Sequence, residues 1–555
     1  MNKNYRLAII AVLALLALLA APSSLFAARC SLLAAPSLIV VVSFDQMRGD
    51  FATRFAPFYQ SKKGGGFARL QREGADYKQC YYRHASNITG PGHATLLTGC
   101  YPAKTGIVGN DFCDGAKLTC GYCVSDDSTT FSARNLKVPT LSDALRVRSP
   151  KSKTVSLALK DRAAILMSGH SANACLWFDA QSLMFETSSA YPTPSWLRAL
   201  NARVRDSIAA CENRPWTTII HERSTKFVGL NPAVDSVPEE GAYPTGGTTF
   251  PHVLPQRTHE KFAASFLISP FSMNVLFDAA IQAVDREKLG RDRHTDVLCI
   301  GVSSTDYVGH VYGPDSREIQ ELYVHADLAM ERLINHLDKR VGRNKYVLVV
   351  TSDHGVAPIP ELIKKQPAQQ RAEIDAGRIS KKHMKAFVDS VITSLIGPPT
   401  SGGSHIRQAF EPSIYLELSK LQETRRREVI GKVVEALRQY PGVGVAASSH
   451  ELASNTKPTG VDDSTWYYVR MSYHEGRSGD IVYYPKRYWI IGGNVATHGT
   501  PHDYDQWVPL MMLGGGITQR ESDERVAPVD IAPTLGKMLG IEMPGIDGRA
   551  LEPSL

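Results

Sequence analysis

Apolar runs bounded by turn-forming and charged residues organise this chain. Residues 37–44 are an unbroken β-rich apolar stretch, as expected for a strand covered on both faces of a parallel sheet. Residues 154–159, 296–303, 346–351 and 508–513 repeat the pattern. Between them, 272–284 and 319–337 place apolar residues at helical spacing with charges opposite, which predicts amphipathic helices. Strands alternating with helices predict an α/β fold, a doubly wound and mostly parallel sheet with helices on both faces. Two stretches depart from this rhythm. Residues 194–288 alternate helical segments with Pro/Gly-rich loops and read as an irregular insertion, and 358–490 turn to charged helices and short strands, as in an inserted cap or lobe.

The residues that follow the strands change the picture from scaffold to chemistry. Asp45 follows the first run at once, Lys160-Asp161-Arg162 follow the second, Asp306 and His310 lie just beyond the third, and Asp353-His354 end the fourth. In open α/β sheets ligands bind beyond the carboxyl ends of the strands, so these side chains should converge. Three carboxylates and several imidazoles brought together repel or lose solvation unless a cation holds them, and a mixed oxygen and nitrogen donor set suits zinc better than calcium. His498 and His502 lie in a further loop, as competing ligands. In the stretch 87–95, Thr89 stands in a Gly/Pro-rich turn just before an apolar helical run. The free N–H groups of that helix would favour an anion beside the hydroxyl.

Composition narrows the function classes. A formal charge of +7 over 555 residues, with Lys and Arg scattered, leaves no footprint of a nucleic-acid binder and is compatible with small anionic substrates. Lys3 and Arg6 precede the apolar run 7–21 and a small-residue segment, a secretory signal peptide over 1–28 with cleavage near Ala27 or Ala28. The mature chain, 29–555, is then periplasmic or secreted, with no stable membrane insertion. Arg29 before Cys30 argues against lipidation. Nine cysteines in an exported protein suggest disulfides; Cys113, Cys120 and Cys123 share a loop that favours a local bridge over a zinc pair, and Cys299 reads as a buried free thiol.

The set Ser43-Phe44-Asp45, Thr89-Gly90-Pro91-Gly92-His93, Asp306-x-x-x-His310, Asp353-His354-Gly355 and His498-Gly499 resembles the alkaline phosphatase superfamily in order and spacing. Residues 530–535 and 547–549 resemble the usual close of its catalytic domain. The resemblance implies two zinc ions and a threonine nucleophile: Asp45, Asp353 and His354 on one zinc, shared with the Thr89 oxygen, and Asp306, His310 and His498 on the other. Asn110, Lys160 and Arg162 match the phosphate-irrepressible alkaline phosphatases (PafA type), in which these residues bind the nonbridging phosphoryl oxygens. A lysine and an arginine fork suit a monoester dianion better than a diester monoanion. The expected activity is phosphomonoester hydrolysis of small phosphate esters through phospho-threonine, with an alkaline optimum. The alternative is a phosphodiesterase or nucleotide pyrophosphatase of the same superfamily. Cys100-Tyr101-Pro102-Ala103-Lys104 only imitates a sulfatase motif, because position 104 is Lys and not Arg.

Overall fold

The computed structural model describes residues 35–59, 65–115, 119–126, 130–220, 235, 237–365, 374–399 and 402–552. The signal-peptide reading and Cys30 lie outside them. Nine strands build the main sheet in the spatial order Arg520–Val526, Ala75–Cys80, Leu510–Gly514, Tyr346–Thr351, Leu38–Phe44, Asp296–Val302, Thr154–Ala158, Ala174–Asp179 and Met184–Glu186. All run the same way except Leu510–Gly514 and Met184–Glu186, which pair antiparallel with their neighbours. The sheet is therefore α/β and mostly parallel, as the alternating pattern predicts. Its central strands are largely apolar because every residue of Leu38–Phe44, Asp296–Val302 and Tyr346–Thr351 is buried, with Ser43, Asp296 and Thr351 the polar exceptions near their ends.

Helices cover both faces and bury two large apolar clusters. Leu38, Val40, Val42 and Phe44 point into one, with the helices Pro270–Arg286 and Arg317–Arg340; Ile39 and Val41 point into the other, with Ile531 and Leu535 of the helix Ile531–Leu539. This alternation follows from the two-residue period of a strand. Burying such a strand's Val, Leu and Ile side chains contributes roughly 1.5–3 kcal/mol each before the entropy of ordering is counted. Both predicted helices form, each longer than its apolar pattern: 272–284 lies within Pro270–Arg286, and 319–337 within Arg317–Arg340. Ser269 and Ser316 cap them, each accepting a hydrogen bond from a backbone N–H of the first turn.

Between 194 and 288 the chain carries the helices Leu197–Ala209, Phe262–Leu267 and Pro270–Arg286 and a two-residue strand pair. Between 358 and 490 it builds a second sheet, four antiparallel strands in the order Ile406–Phe410, Ser413–Leu416, Ile481–Pro485 and Val443–Ser448. The helices Lys381–Ile396 and Glu423–Arg438 pack on it around their own core of Met384, Val388, Val433 and Leu437. Cys113 and Cys120 form a disulfide across the hairpin Asp111–Asp114/Thr119–Tyr122, and Cys299 is a buried free thiol. Among the described residues no helix is long and apolar enough to cross a membrane.

Candidate active site

Four parallel strands deliver the polar residues to one end of the sheet. Asp45 comes directly after Phe44, Lys160 two residues after Ala158, and Asp353 two residues after Thr351; Asp306 and His310 lie one turn apart on the helix Ser304–Tyr312, on the same face. Thr89 is the first residue of the helix Thr89–Thr98, all ten of whose residues are buried. Here the sequence reading needs correction: Gly90-Pro91-Gly92 is not a turn but the first turn of the helix itself. Pro91 is tolerated because the N–H groups of a first turn have no intrahelical partner. Gly92 is required by packing, since a Cβ there would come within 2.2 Å of the Asp353 carbonyl oxygen.

Two triads result, Asp45/Asp353/His354 and Asp306/His310/His498, each with donor atoms mutually within 4.8 Å. The histidine tautomers decide what these triads can hold. His310, His354 and His498 direct Nδ1 at the carbonyl oxygens of Ala496, Gly355 and Asn87, at 2.8, 2.9 and 2.9 Å. A carbonyl only accepts, so Nδ1 donates and the lone pair sits on Nε2. Those lone pairs face carboxylates: His354 Nε2 is 3.4 Å from both Asp45 and Asp353, and His310 and His498 Nε2 are 3.1 and 3.5 Å from Asp306. Acceptor against acceptor is repulsive unless a cation or proton lies between, and Asp45 Oδ1 and His354 Nε2 are buried with no hydrogen-bond partner. The donor set therefore fits a divalent cation in each triad.

The electrostatics agree. Burial, reinforced by the charges of Asp306 and Asp353, pushes the Asp45 carboxyl up to about 8 despite Lys160. Burial works against ionised Asp306 as well, but a protonated His310 and Lys160 outweigh it and hold that carboxyl well below the usual range, while Asp306 in turn raises His310 against its burial. With no cation between them this pair shares a proton, the place a metal ion would take. Burial drives His354 down to about 3 and lowers His498, so both rings stay neutral ligands. The Lys160 ammonium lies between the triads, donating to Asp45 at 2.7 Å and Asp306 at 2.5 Å.

The remaining anticipated residues gather around Thr89. The Arg162 guanidinium reaches Thr89 Oγ1 at 3.4 Å, and Asn110 Oδ1 accepts from the Gly90 N–H at 2.9 Å. His502 is elsewhere, on the Pro485 carbonyl at 3.0 Å, and takes no part in either triad. Three residues were not anticipated. Gln46, at φ +67°, donates its backbone N–H to Asp353 and its amide to Asp306. His93 Nδ1 lies 2.9 Å from the Thr89 carbonyl and 3.1 Å from Asp353. The Tyr122 hydroxyl accepts from Arg162 at 3.0 Å and donates to Asp161, fixing the guanidinium. Gln46 adjoins a recognised motif and His93 lies inside one without a role having been assigned to it, a signal that was there to use; Tyr122 reaches the site only through the hairpin fold.

Comparison with known proteins gives the same picture. A family model described as type I phosphodiesterase / nucleotide pyrophosphatase matches residues 39–505. The chain is 30% identical to alkaline phosphatase PafA of Elizabethkingia meningoseptica over 532 residues, covering 92% of each. It is 30% identical to alkaline phosphatase PhoK of a Sphingomonas species over 543 residues, 93% of this chain and 91% of that one. The crystal structure of wild-type PafA superposes with a TM-score of 0.84 at 28% identity, over 94% of this chain and 99% of that one. A PafA variant carrying substitutions at a threonine, an asparagine, a lysine and an arginine superposes at 0.81, at 28% identity, over 93% and 98%.

Proposed function

Because the chain belongs to the type I phosphodiesterase / nucleotide pyrophosphatase family and has the fold of the alkaline phosphatase superfamily, we propose that it is an exported phosphomonoester hydrolase acting on small phosphate esters, with two zinc ions and Thr89 as nucleophile. The observation that supports this reading is that Lys160 bonds the carboxylates of both triads, Arg162 reaches Thr89 Oγ1, and Asn110 accepts from the N–H next to Thr89. Two cations and an amide match the two charges and three nonbridging oxygens of a monoester, whereas a diester offers one charge and a second organic group. The alkaline phosphatases among the relatives and the PafA variant altered at the same four residue types support the same assignment. The family model's description favours the diester alternative, and the test below separates the two.

Zinc held by Asp45, Asp353 and His354 and by Asp306, His310 and His498 would lower the pKa of the Thr89 hydroxyl and of the hydrolytic water and offset charge on the leaving oxygen. Thr89 Oγ1 forms a bond to phosphorus as the ester P–O bond breaks and the alcohol departs with a proton. Water then attacks the phospho-threonine, releasing inorganic phosphate and restoring the hydroxyl. Arg162, steadied by Tyr122, and the Asn110 side chain, hydrogen-bonded to the Gly90 N–H, hold the phosphoryl group throughout. Rapid acid quench during turnover of an aryl monoester, followed by peptide mass spectrometry, should find phosphate on Thr89. Quenched protein with no phosphate on that residue under burst conditions would contradict the assignment.

A further inference from the structure

The loop that brings His498 to its triad forms neither helix nor strand, yet it is held on both sides of Thr500. The Asn87 amide donates to the Thr500 carbonyl at 2.7 Å, and the Asp505 carboxylate accepts from the Thr500 N–H at 2.8 Å and its hydroxyl at 2.6 Å. Asn87 and Asp505 are both fully buried, where no water can replace those bonds.

Each of the two also reaches a reactive segment through its backbone. The Asn87 carbonyl, two residues before Thr89, receives the His498 Nδ1–H. The Asp505 carbonyl accepts at 2.7 Å from the N–H of Gly355, next to His354, and the Val356 and Ala357 N–H groups continue the junction onto the Tyr504 and Thr497 carbonyls at 2.9 and 3.0 Å. A Cβ at Gly355 would lie 2.2 Å from the Tyr504 carbonyl oxygen, so only glycine lets the segments approach this closely. Across the junction His354 and His498, one from each triad, stack with ring centroids 3.5 Å apart. We propose that Asn87 and Asp505 are positioning residues for His498, whose grip on Thr500 keeps this imidazole in register with His354 of the other triad and with Thr89. A ligating histidine depends on the outer partner that fixes its ring, and here that partner, the Asn87 carbonyl, is itself fixed by the Asn87 side chain. The inference rests on the two-cation part of the proposed function and adds residues that neither triad contains.

Zinc titration of metal-free, full-length protein against a chromophoric chelator resolves the two sites, and the step weakened in His498→Ala marks the one that His498 serves. Asn87→Ala and Asp505→Ala should each weaken that step about tenfold and leave the other within about twofold. Asp505→Asn, which keeps an oxygen to accept from Thr500, should stay near the wild type. Should Asp505→Ala fail to fold, Thr500→Val removes the hydroxyl at nearly constant shape and should weaken the same step about threefold. Unchanged affinity in the folded variants, or equal weakening of both steps, would overturn the proposal. Wild-type protein that takes up no zinc would remove the two-cation reading instead, and diethyl pyrocarbonate labelling of metal-free protein, read by peptide mass spectrometry, then decides the positioning. His498 should be modified about threefold faster or more in Asn87→Ala than in the wild type, with His310 unchanged. Equal His498 rates would overturn it.

Discussion

The two triads differ in how completely the fold encloses them. Asp45, Asp353 and His354 are each fully buried, behind the helix that begins at Thr89, whereas the side chains of His310 and His498 retain 22% and 8% of their surface exposure. The closed triad is fixed by strand ends and the packing of Gly92, so its geometry is inherited from the sheet core. The open triad combines a helix, Ser304–Tyr312, with a loop residue, His498, and keeps part of its histidine surface in contact with solvent. On the proposed mechanism the difference is a division of labour: rigid enclosure where the nucleophile would be generated, access where alcohol and water would pass.

The largest effect should come from Thr89→Ala, which removes the proposed attacking oxygen and spares both triads. Turnover of every substrate should fall by roughly four orders of magnitude or more, with bound zinc by elemental analysis unchanged at two per chain. Loss of zinc with the activity would make Thr89 a structural residue. Next come the triads themselves. Asp353→Ala removes a ligand of the closed site and leaves the buried Gln46 N–H and His93 without their acceptor, so it should abolish loading of that site and lower the melting temperature. His498→Ala, where water can replace an imidazole, should weaken the open site about 10- to 100-fold with a smaller thermal cost. Equal thermal losses would erase the distinction between closed and open.

The closed triad was also the more legible of the two in sequence. Its strands are buried on both faces, so they appear as continuous apolar runs, and Asp45 and Asp353-His354 stand at once after them. The open triad's Asp306 and His310 were visible as an i, i+4 pair, but nothing in the spacing alone separated His498 from His502; only the fold sends His502 to Pro485. Gly90-Pro91-Gly92 reads as a turn by local propensity, and tertiary packing overrode it, because the helix must approach the Asp353 backbone closely. Tyr122 stayed hidden because an aromatic residue in a short hairpin carries no local mark of the arginine it meets. The placement of Leu510–Gly514 antiparallel between two strands was equally beyond a reading of periodicity.

Smaller perturbations probe how the phosphoryl donors lean on the triads. Tyr122→Phe should lower monoester kcat/KM about tenfold by freeing Arg162, and should add nothing in an Arg162→Ala background. A full additional loss there would mean that Tyr122 acts independently of Arg162. The smallest effect lies outside both triads. Burial would raise the Asp143 carboxyl, but hydrogen bonds from His170, the Thr140 backbone and Ser171 hold it down to about 2. A carboxyl lowered in the folded state stabilises above its unfolded pKa and loses that contribution as pH falls from about 4 towards 2, here about 2 kcal/mol. Urea titrations across that window should show this slope flattened in Asp143→Asn and equal in zinc-loaded and chelated protein. A slope that depends on zinc would tie this distant pair to the site.

The central claim is that a two-cation site with a lysine and an arginine beside Thr89 is built for a phosphoryl dianion. The most direct test is the ratio of kcat/KM for an aryl phosphate monoester to that for the matching methyl aryl diester, in zinc-loaded protein, in a chelated control, and in Lys160→Ala/Arg162→Ala. The account predicts a strong monoester preference that chelation abolishes and that the double variant reduces by about two orders of magnitude or more, chiefly through the monoester. A preference for the diester, or equal losses on both substrates in the variant, would contradict it.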